Sequence, residues 1–309
     1  MKRILFVKTS SLGDVVHHCP AVSDAAGHFP GAGIDWVVEA PFAGVAAMHP
    51  AVRRVIPIAV RRWRNALWDP AVWSEMSEFR RALAAERYDV VIDTQSLVKS
   101  ALVCRFASGV RHGMDRASAR EALAARFYDV THVVPRGLHA VERNRRLTAE
   151  ALGYTLENSP QYGLRVNGAA PHAERAYSVL LTMTSRADKL WPESHWIELG
   201  RALATPVVLP WGSDSERARA ERIARGIVGA RVPSQMSLAQ LGELFVNARA
   251  VVGLDTGLTH LAAALGVPTV GVYCGSDPAL TGLYGAARAK NVGAQGRAPG
   301  VDDVLKSIA

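Results

Sequence analysis

Asp255-Thr256-Gly257-Leu258-Thr259-His260 gathers a carboxylate, two hydroxyls and an imidazole within six residues, with a glycine at the turn. The apolar run Val251-Val252-Gly253-Leu254 precedes it and a Leu- and Ala-rich stretch follows, so it reads as a strand end opening into a helix. A helix start presents unpaired backbone N–H groups and a partial positive charge, and phosphates settle there. The side chains on offer suit a ligand that carries both phosphates and sugar hydroxyls. A simple N-cap is the plainer use of an Asp or Thr at this position.

Three further loops offer related chemistry. Lys8-Thr9-Ser10-Ser11-Leu12-Gly13-Asp14 leaves the first apolar run with a cation at a strand end and a carboxylate six residues on. Asp14 there could serve as a general base, with a Ser-rich N-cap turn as the alternative. Thr184-Ser185-Arg186-Ala187-Asp188-Lys189 sets hydroxyls, a guanidinium and an ammonium where a diphosphate could bind, or forms a solvated loop before the helix start at Pro192-Glu193-Ser194. Pro210-Trp211-Gly212-Ser213-Asp214-Ser215-Glu216 could hold a nucleoside, with Glu216 on ribose hydroxyls, or be an ordinary acidic first helical turn. Arg61-Arg62-Trp63-Arg64 is a basic-aromatic cluster fit for an anionic headgroup or an acidic sugar, although such runs are usually solvated. Lys99, Arg111, His112, Arg116 and Arg120 form a second basic set in the same half.

The elements that position these loops follow from alternation. Strands are expected at 4–7, 34–38, 54–58, 90–93 and 130–134, with helices at 14–28, 71–85, 98–107, 117–126 and 139–152. Gly, Pro and Asn break the pattern over 153–171. It then restarts, with strands at 177–181, 206–209, 250–254 and 269–273 and helices at 193–204, 216–225, 238–247, 258–265 and 301–308. Short apolar strands separated by amphipathic helices predict α/β architecture with parallel sheets covered on both faces. The expected organisation is a first domain at 1–155, a linker at 156–171 and a second domain at 172–309. Loops at the carboxyl ends of such strands are where ligands bind.

Composition narrows the class. The 309 residues are 49% hydrophobic and carry a net charge of +8. Residues 1–152 hold 21 basic against 15 acidic side chains, so most of the excess lies in the first half and suggests an anionic partner there. Cys19, Cys104 and Cys274 have no metal or redox spacing and read as buried, reduced thiols of a cytoplasmic protein. The opening apolar run is too short for a signal peptide, and no run reaches the length of a transmembrane helix. G-x-G-x-x-G after a strand, a P-loop, a G-x-S-x-G elbow, zinc spacing and a nucleic-acid module are all missing.

Taken together, the motifs resemble the ADP-heptose:lipopolysaccharide heptosyltransferases over nearly the whole chain. The likeness is carried by Lys8 to Val15, Asp35-Trp36-Val37-Val38-Glu39, Arg61-Arg62-Trp63-Arg64, Gly109-Val110-Arg111-His112-Gly113-Met114-Asp115, Ser185 to Pro192, Pro210-Trp211-Gly212 and Asp255 to His260. The opening motif and the arginine cluster favour the first enzyme of that pathway over the second. The resemblance implies a GT-B fold, two Rossmann-like domains facing each other across a cleft. It also implies inverting transfer of L-glycero-D-manno-heptose from ADP-heptose to 3-deoxy-manno-octulosonic acid (Kdo) on lipid A. It assigns Asp14 as catalytic base, Thr184, Ser185 and Lys189 to the donor phosphates, Glu216 to the ribose, Met236 to the adenine, and Asp255, Thr256, Gly257 and His260 to heptose and pyrophosphate. A helix terminus plus a lysine can stabilise departing ADP, so neither a metal nor another cofactor is expected.

An anionic Kdo-lipid A acceptor fits the basic first half. Lys8, Ser10, Ser11, Arg61, Arg62, Arg64, Arg111 and Arg120 are its expected contacts, and the +8 charge allows peripheral contact with the anionic cytoplasmic face of the inner membrane. The chain departs from the family's usual pattern at Thr182 and Met183, where a His and a small residue are expected, and at Ser96, where Gly is expected. Two other readings remain: a heptosyltransferase with another acceptor, such as core heptose or a protein, and a non-catalytic nucleotide-sugar-binding protein. Asp14 distinguishes the latter, because a binding module needs no such carboxylate. No nucleic-acid partner is expected.

Overall fold

The computed structural model describes residues 1–166 and 177–308. The chain divides into two compact units, Met1–Gly163 and Leu164–Ala309. Part of the expected linker and the first residues of the expected second domain fall on 167–176, outside the described residues.

The first unit is built on six parallel strands: β1 (Arg3–Val7), β2 (Gly33–Glu39), β3 (Val52–Ile58), β4 (Arg87–Asp93), β5 (Ser108–Met114) and β6 (Val130–His132). Their order is β3-β2-β1-β4-β5-β6. Its helices are α1 (Leu12–Val16), α2 (Cys19–His28), α3 (Ala43–Ala47), α4 (Val60–Asn65), α5 (Pro70–Ala84), α6 (Val98–Cys104) and α7 (Ala140–Leu152). Every residue of β2 is buried and four of the five in β1 are, as a sheet covered on both faces requires. The strand order reverses between β1 and β4, and that switch point is where a doubly wound sheet opens a ligand crevice at its carboxyl edge. Register pairs Val7 with both Val37 and Asp93, so Lys8 and Thr94 leave the sheet side by side.

Local chemistry altered several expected elements. The helix expected at 14–28 is two, because Pro20 near the start of α2 has no N–H to continue the α1 ladder. The helix expected at 117–126 is not α-helical; only a 3₁₀ segment, Ala122–Phe127, forms there. The Ser118 and Ala119 carbonyls are taken by Arg143 at 2.6 Å and Arg136 at 2.5 Å, and the Ser118 hydroxyl accepts the Val134 N–H at 2.8 Å. The Arg61 to Arg64 cluster makes up most of α4.

The second unit's parallel strands are β7 (Ser178–Leu181), β8 (Val207–Val208), β9 (Ala250–Leu254), β10 (Thr269–Tyr273) and β11 (Ala289–Gly293), in the order β11-β10-β9-β7-β8. Its helices are α8 (Glu193–Ala202), α9 (Asp214–Arg225), α10 (Leu238–Val246), α11 (Gly257–Ala264), α12 (Pro278–Thr281) and α13 (Val301–Ile308). Here the order reverses between β7 and β9. Trp191 and Trp196 meet edge-to-face at 5.0 Å within a core that includes Leu180, Val252 and Val272. The Trp191 indole N–H donates to the Pro299 carbonyl at 3.0 Å, which satisfies the one polar group of a fully buried ring. Among the described residues, no helix is long and apolar enough to cross a membrane.

Candidate active site

In the first unit the expected residues sit at the β1/β4 switch point. Lys8 is 4% exposed, and its Nζ donates to the Thr94 carbonyl at 3.0 Å and to Asn144 Oδ1 at 3.4 Å. Burial lowers its pKa while the nearby Asp14 carboxylate raises it, and the direction overall is down. Asp14 lies in the first turn of α1. Its Oδ2 accepts the Ser11 N–H at 2.9 Å and an Arg120 guanidinium N–H at 3.4 Å. Asp14 therefore does take part in a capping box, as the plainer reading held, and is also paired with one of the expected acceptor arginines. Its side chain keeps 26% of its exposure, so the carboxylate remains open to a ligand.

Sequence reasoning missed the scaffold behind this loop. Asp93, fully buried at the end of β4, accepts hydrogen bonds from Gln95 N–H (2.8 Å), Ser96 N–H (3.1 Å), the Ser100 hydroxyl (2.7 Å) and the Tyr128 hydroxyl (2.8 Å). Burial raises its pKa against the opposing pull of those donors. The turn it holds carries Gln95, whose Oε1 accepts the N–H groups of Thr9 and Ser10 at 3.1 and 3.2 Å. Asp93 thus fixes Gln95, and Gln95 fixes the loop that presents Lys8 and Asp14. An Asp ending a buried strand was the available signal. Gly113 on β5 is needed beside it, since a Cβ there would collide with the Tyr128 ring. Thr9 Oγ1, Glu39 Oε1 and Ser96 Oγ, at the ends of β1, β2 and β4, are buried without a hydrogen-bond partner among the described residues.

The remaining expected acceptor residues are not all gathered there. Arg62 pairs with Glu75, which also accepts the Trp63 indole N–H at 2.8 Å. Arg111 is bound bidentately by Asp129 at 2.8 and 2.5 Å, between β5 and β6. Arg61 and Arg64 are exposed on α4. Arg143 was not anticipated. It adds positive charge near Lys8, and burial together with Arg136 and Arg120 lowers its pKa.

In the second unit the β7 and β9 loops converge on Asp255. Lys189 Nζ donates to its Oδ2 at 2.6 Å, the Ser276 hydroxyl donates to the same oxygen at 2.5 Å, and His260 Nε2 lies 3.4 Å from Oδ1. Burial opposes ionisation of Asp255, but the bonds from His260, Lys189 and Ser276 outweigh it and hold the carboxyl well below the usual range. The Thr184 hydroxyl donates to the Asp255 carbonyl at 3.1 Å. Thr256 is the N-cap residue of α11, which begins at Gly257, so the helix N–H groups open beside this cluster. Gly253 lets α11 come close to β9, because a Cβ there would strike Thr259 Oγ1. Ser185 is exposed. Ser276 was missed by sequence reasoning, since a lone Ser after the β10 strand carries no signal.

A second group in the same unit joins the β8 exit to the 233–236 segment. The Gly212 N–H donates to Glu216 Oε2 at 2.7 Å, and the Gly212 carbonyl accepts from Gln235 Nε2 at 2.9 Å. The Trp211 indole N–H donates to the Pro233 carbonyl at 2.7 Å. Glu216 and Met236 are thereby tied to one small framework, half-buried at Met236. Arg219, also unanticipated, bonds the carbonyls of Thr182 (3.3 Å) and Trp191 (2.7 Å), bracing both ends of the Thr184 to Lys189 loop. No cluster of three or more His, Cys, Asp or Glu among the described residues could hold a metal ion.

Comparison with known proteins gives one consistent result. A family model described as glycosyltransferase family 9 (heptosyltransferase) matches residues 76–304. The chain is 47% identical over 290 residues to lipopolysaccharide heptosyltransferase 1 of Escherichia coli strain K12, covering 92% of this chain and 91% of that one. Among solved structures it resembles E. coli heptosyltransferase WaaC with ADP, at a TM-score of 0.92 and 42% identity, covering 99% of this chain and 100% of that one. It also resembles WaaC with ADP-2-deoxy-2-fluoro heptose, at a TM-score of 0.88 and 42% identity over 99% and 98% of the two chains.

Proposed function

The chain belongs to glycosyltransferase family 9, the heptosyltransferases, and we propose that it transfers L-glycero-D-manno-heptose from ADP-heptose to a Kdo residue of Kdo-lipid A, with inversion. It is a glycosyltransferase of GT-B type, with two parallel α/β sheets. The observation that carries the substrate reading is the Asp255 cluster: a lysine, a histidine and a helix N-terminus gathered at a strand switch point, in a chain similar to an enzyme solved with an ADP-heptose analogue.

In this reading the acceptor hydroxyl gives its proton to Asp14 as its oxygen attacks the anomeric carbon. The bond from that carbon to the diphosphate oxygen breaks and ADP departs. Lys189, Thr184, Ser185 and the α11 N–H groups neutralise the charge that develops on the diphosphate, so the protein's own groups supply the electrostatic stabilisation. Asp255 holds Lys189 in place and, with Thr256, Gly257 and His260, faces heptose and pyrophosphate. Glu216 takes the ribose hydroxyls and Met236 the adenine. Lys8, Ser10, Ser11, Arg120 and the arginines of α4 meet the anionic acceptor, which the enzyme reaches from the cytoplasm at the membrane surface.

Incubation of the purified protein with ADP-heptose and Kdo-lipid A, followed by mass spectrometry of the lipid, tests this. One added heptose with release of ADP is expected. Transfer only to a heptose-bearing core acceptor, or to a protein, would replace the acceptor assignment. ADP-heptose binding with no transfer to any of the three would reduce the chain to a binding protein.

A further inference from the structure

The connection between α4 and α5 carries apolar side chains that the first unit leaves uncovered. Trp63 faces inward: it is 8% exposed and meets Phe79 edge-on at 5.8 Å. Its neighbours face out, with Leu67 47%, Trp73 56% and Trp68 83% exposed. The segment is nonetheless held in shape. The Trp73 indole N–H donates to the Leu67 carbonyl at 2.8 Å, the Asp69 N–H donates to the Ala66 carbonyl at 3.0 Å, and Asp69 caps α5 through the Ala71 N–H at 2.9 Å. Two tryptophans and a leucine displayed together on an ordered turn mark an interaction surface. Arg61 and Arg64, exposed on the adjoining α4, add positive charge.

We propose that this tip docks the first unit onto an anionic bilayer surface, with Leu67 and Trp68 entering the headgroup region beside the α4 arginines that meet the lipid-borne acceptor. An indole suits that depth, because its ring is apolar while its N–H stays wet. Charge complementarity favours a lipid surface of negative sign, since most of the chain's +8 excess lies in the half that carries the tip. A stable protein partner would need about 800 Å² from each side, far more than three side chains on one turn supply. A bilayer needs only those few. Docking at this tip deepens the heptose-transfer reading and rests on it for the reason an enzyme would meet a membrane there, but its test is independent of turnover.

The test is co-sedimentation of the full chain with vesicles of phosphatidylcholine alone and of equimolar phosphatidylcholine and phosphatidylglycerol, for wild type and the Leu67→Ser, Trp68→Ser double variant. Neither residue supports the core, so the variant keeps its fold, checked by circular dichroism. Wild type is expected on the anionic vesicles only, and the variant's partitioning is expected to fall about tenfold, with transfer to a deacylated, water-soluble Kdo acceptor unchanged. Equal vesicle binding by the variant would overturn the proposal, as would absence of wild-type binding. Loss of transfer to the soluble acceptor in the variant would instead assign the tip to acceptor binding, and also overturn it. Failure of wild type to glycosylate any acceptor would sink the functional reading and leave the vesicle result standing.

Discussion

In the proposed reaction two carboxylates carry the chemistry, and their surroundings differ. Asp255 is saturated with donors and held ionised, which makes it a fixed anchor for Lys189 and His260. Asp14 accepts the Ser11 N–H and hydroxyl and a long contact from Arg120, and its side chain stays 26% exposed, so it is open to the acceptor hydroxyl of the proposed reaction. Behind Asp14 stands Ser96, which among the described residues is the non-glycine residue with a left-handed backbone, φ 56°, on the turn that Asp93 holds. A side chain in that conformation costs about 1 kcal/mol against glycine, and the Ser96 hydroxyl is also buried without a partner. Ser96→Gly is expected to stabilise the protein by roughly 1 kcal/mol, after the entropy glycine adds to the unfolded chain is subtracted. A denaturant midpoint that falls instead would show that the Ser96 hydroxyl has a partner worth more than the strain.

At the scale of elements, the strands with strong apolar runs were legible and the polar ones were not. β1, β2, β4, β9 and β10 were expected within a few residues of where they lie, because each carries the short apolar run that burial on both faces requires. β5 escaped notice because Ser108-Gly109-Val110-Arg111-His112-Gly113-Met114 has no apolar alternation; Gly113 makes room for Tyr128 and Arg111 reaches Asp129. β11, Ala289-Lys290-Asn291-Val292-Gly293, is an edge strand with exposed positions and was missed for the same reason. The site loops were legible because chemistry-bearing residues followed readable strands. Their supports, Gln95, Asn144, Arg143, Arg219, Gln235 and Ser276, act through contacts between residues far apart in sequence, which spacing does not encode.

For the whole molecule, buried histidines set an acid limit on stability. Burial lowers His49 from 6.5 to about 4, and burial with the nearby Lys8 and His49 charges lowers His18 well below its ordinary value. As pH falls below 6.5 the unfolded chain takes up protons on these residues while the folded protein does not, so the stability they contribute is full above 6.5 and is lost on the way to 4. His49 alone accounts for roughly 3 kcal/mol over that window. Thermal melts should therefore show a clearly lower Tm at pH 5 than at pH 7.5, and equal values would contradict the buried, neutral assignment. In the proposed reaction the first unit supplies the base and the second holds the donor. This division is tested most directly by measuring ADP-heptose affinity and heptose transfer side by side for wild type and Asp14→Asn. Donor affinity is expected to be unchanged, with transfer lowered by about three orders of magnitude. Transfer within a few-fold of wild type in the folded variant would contradict it.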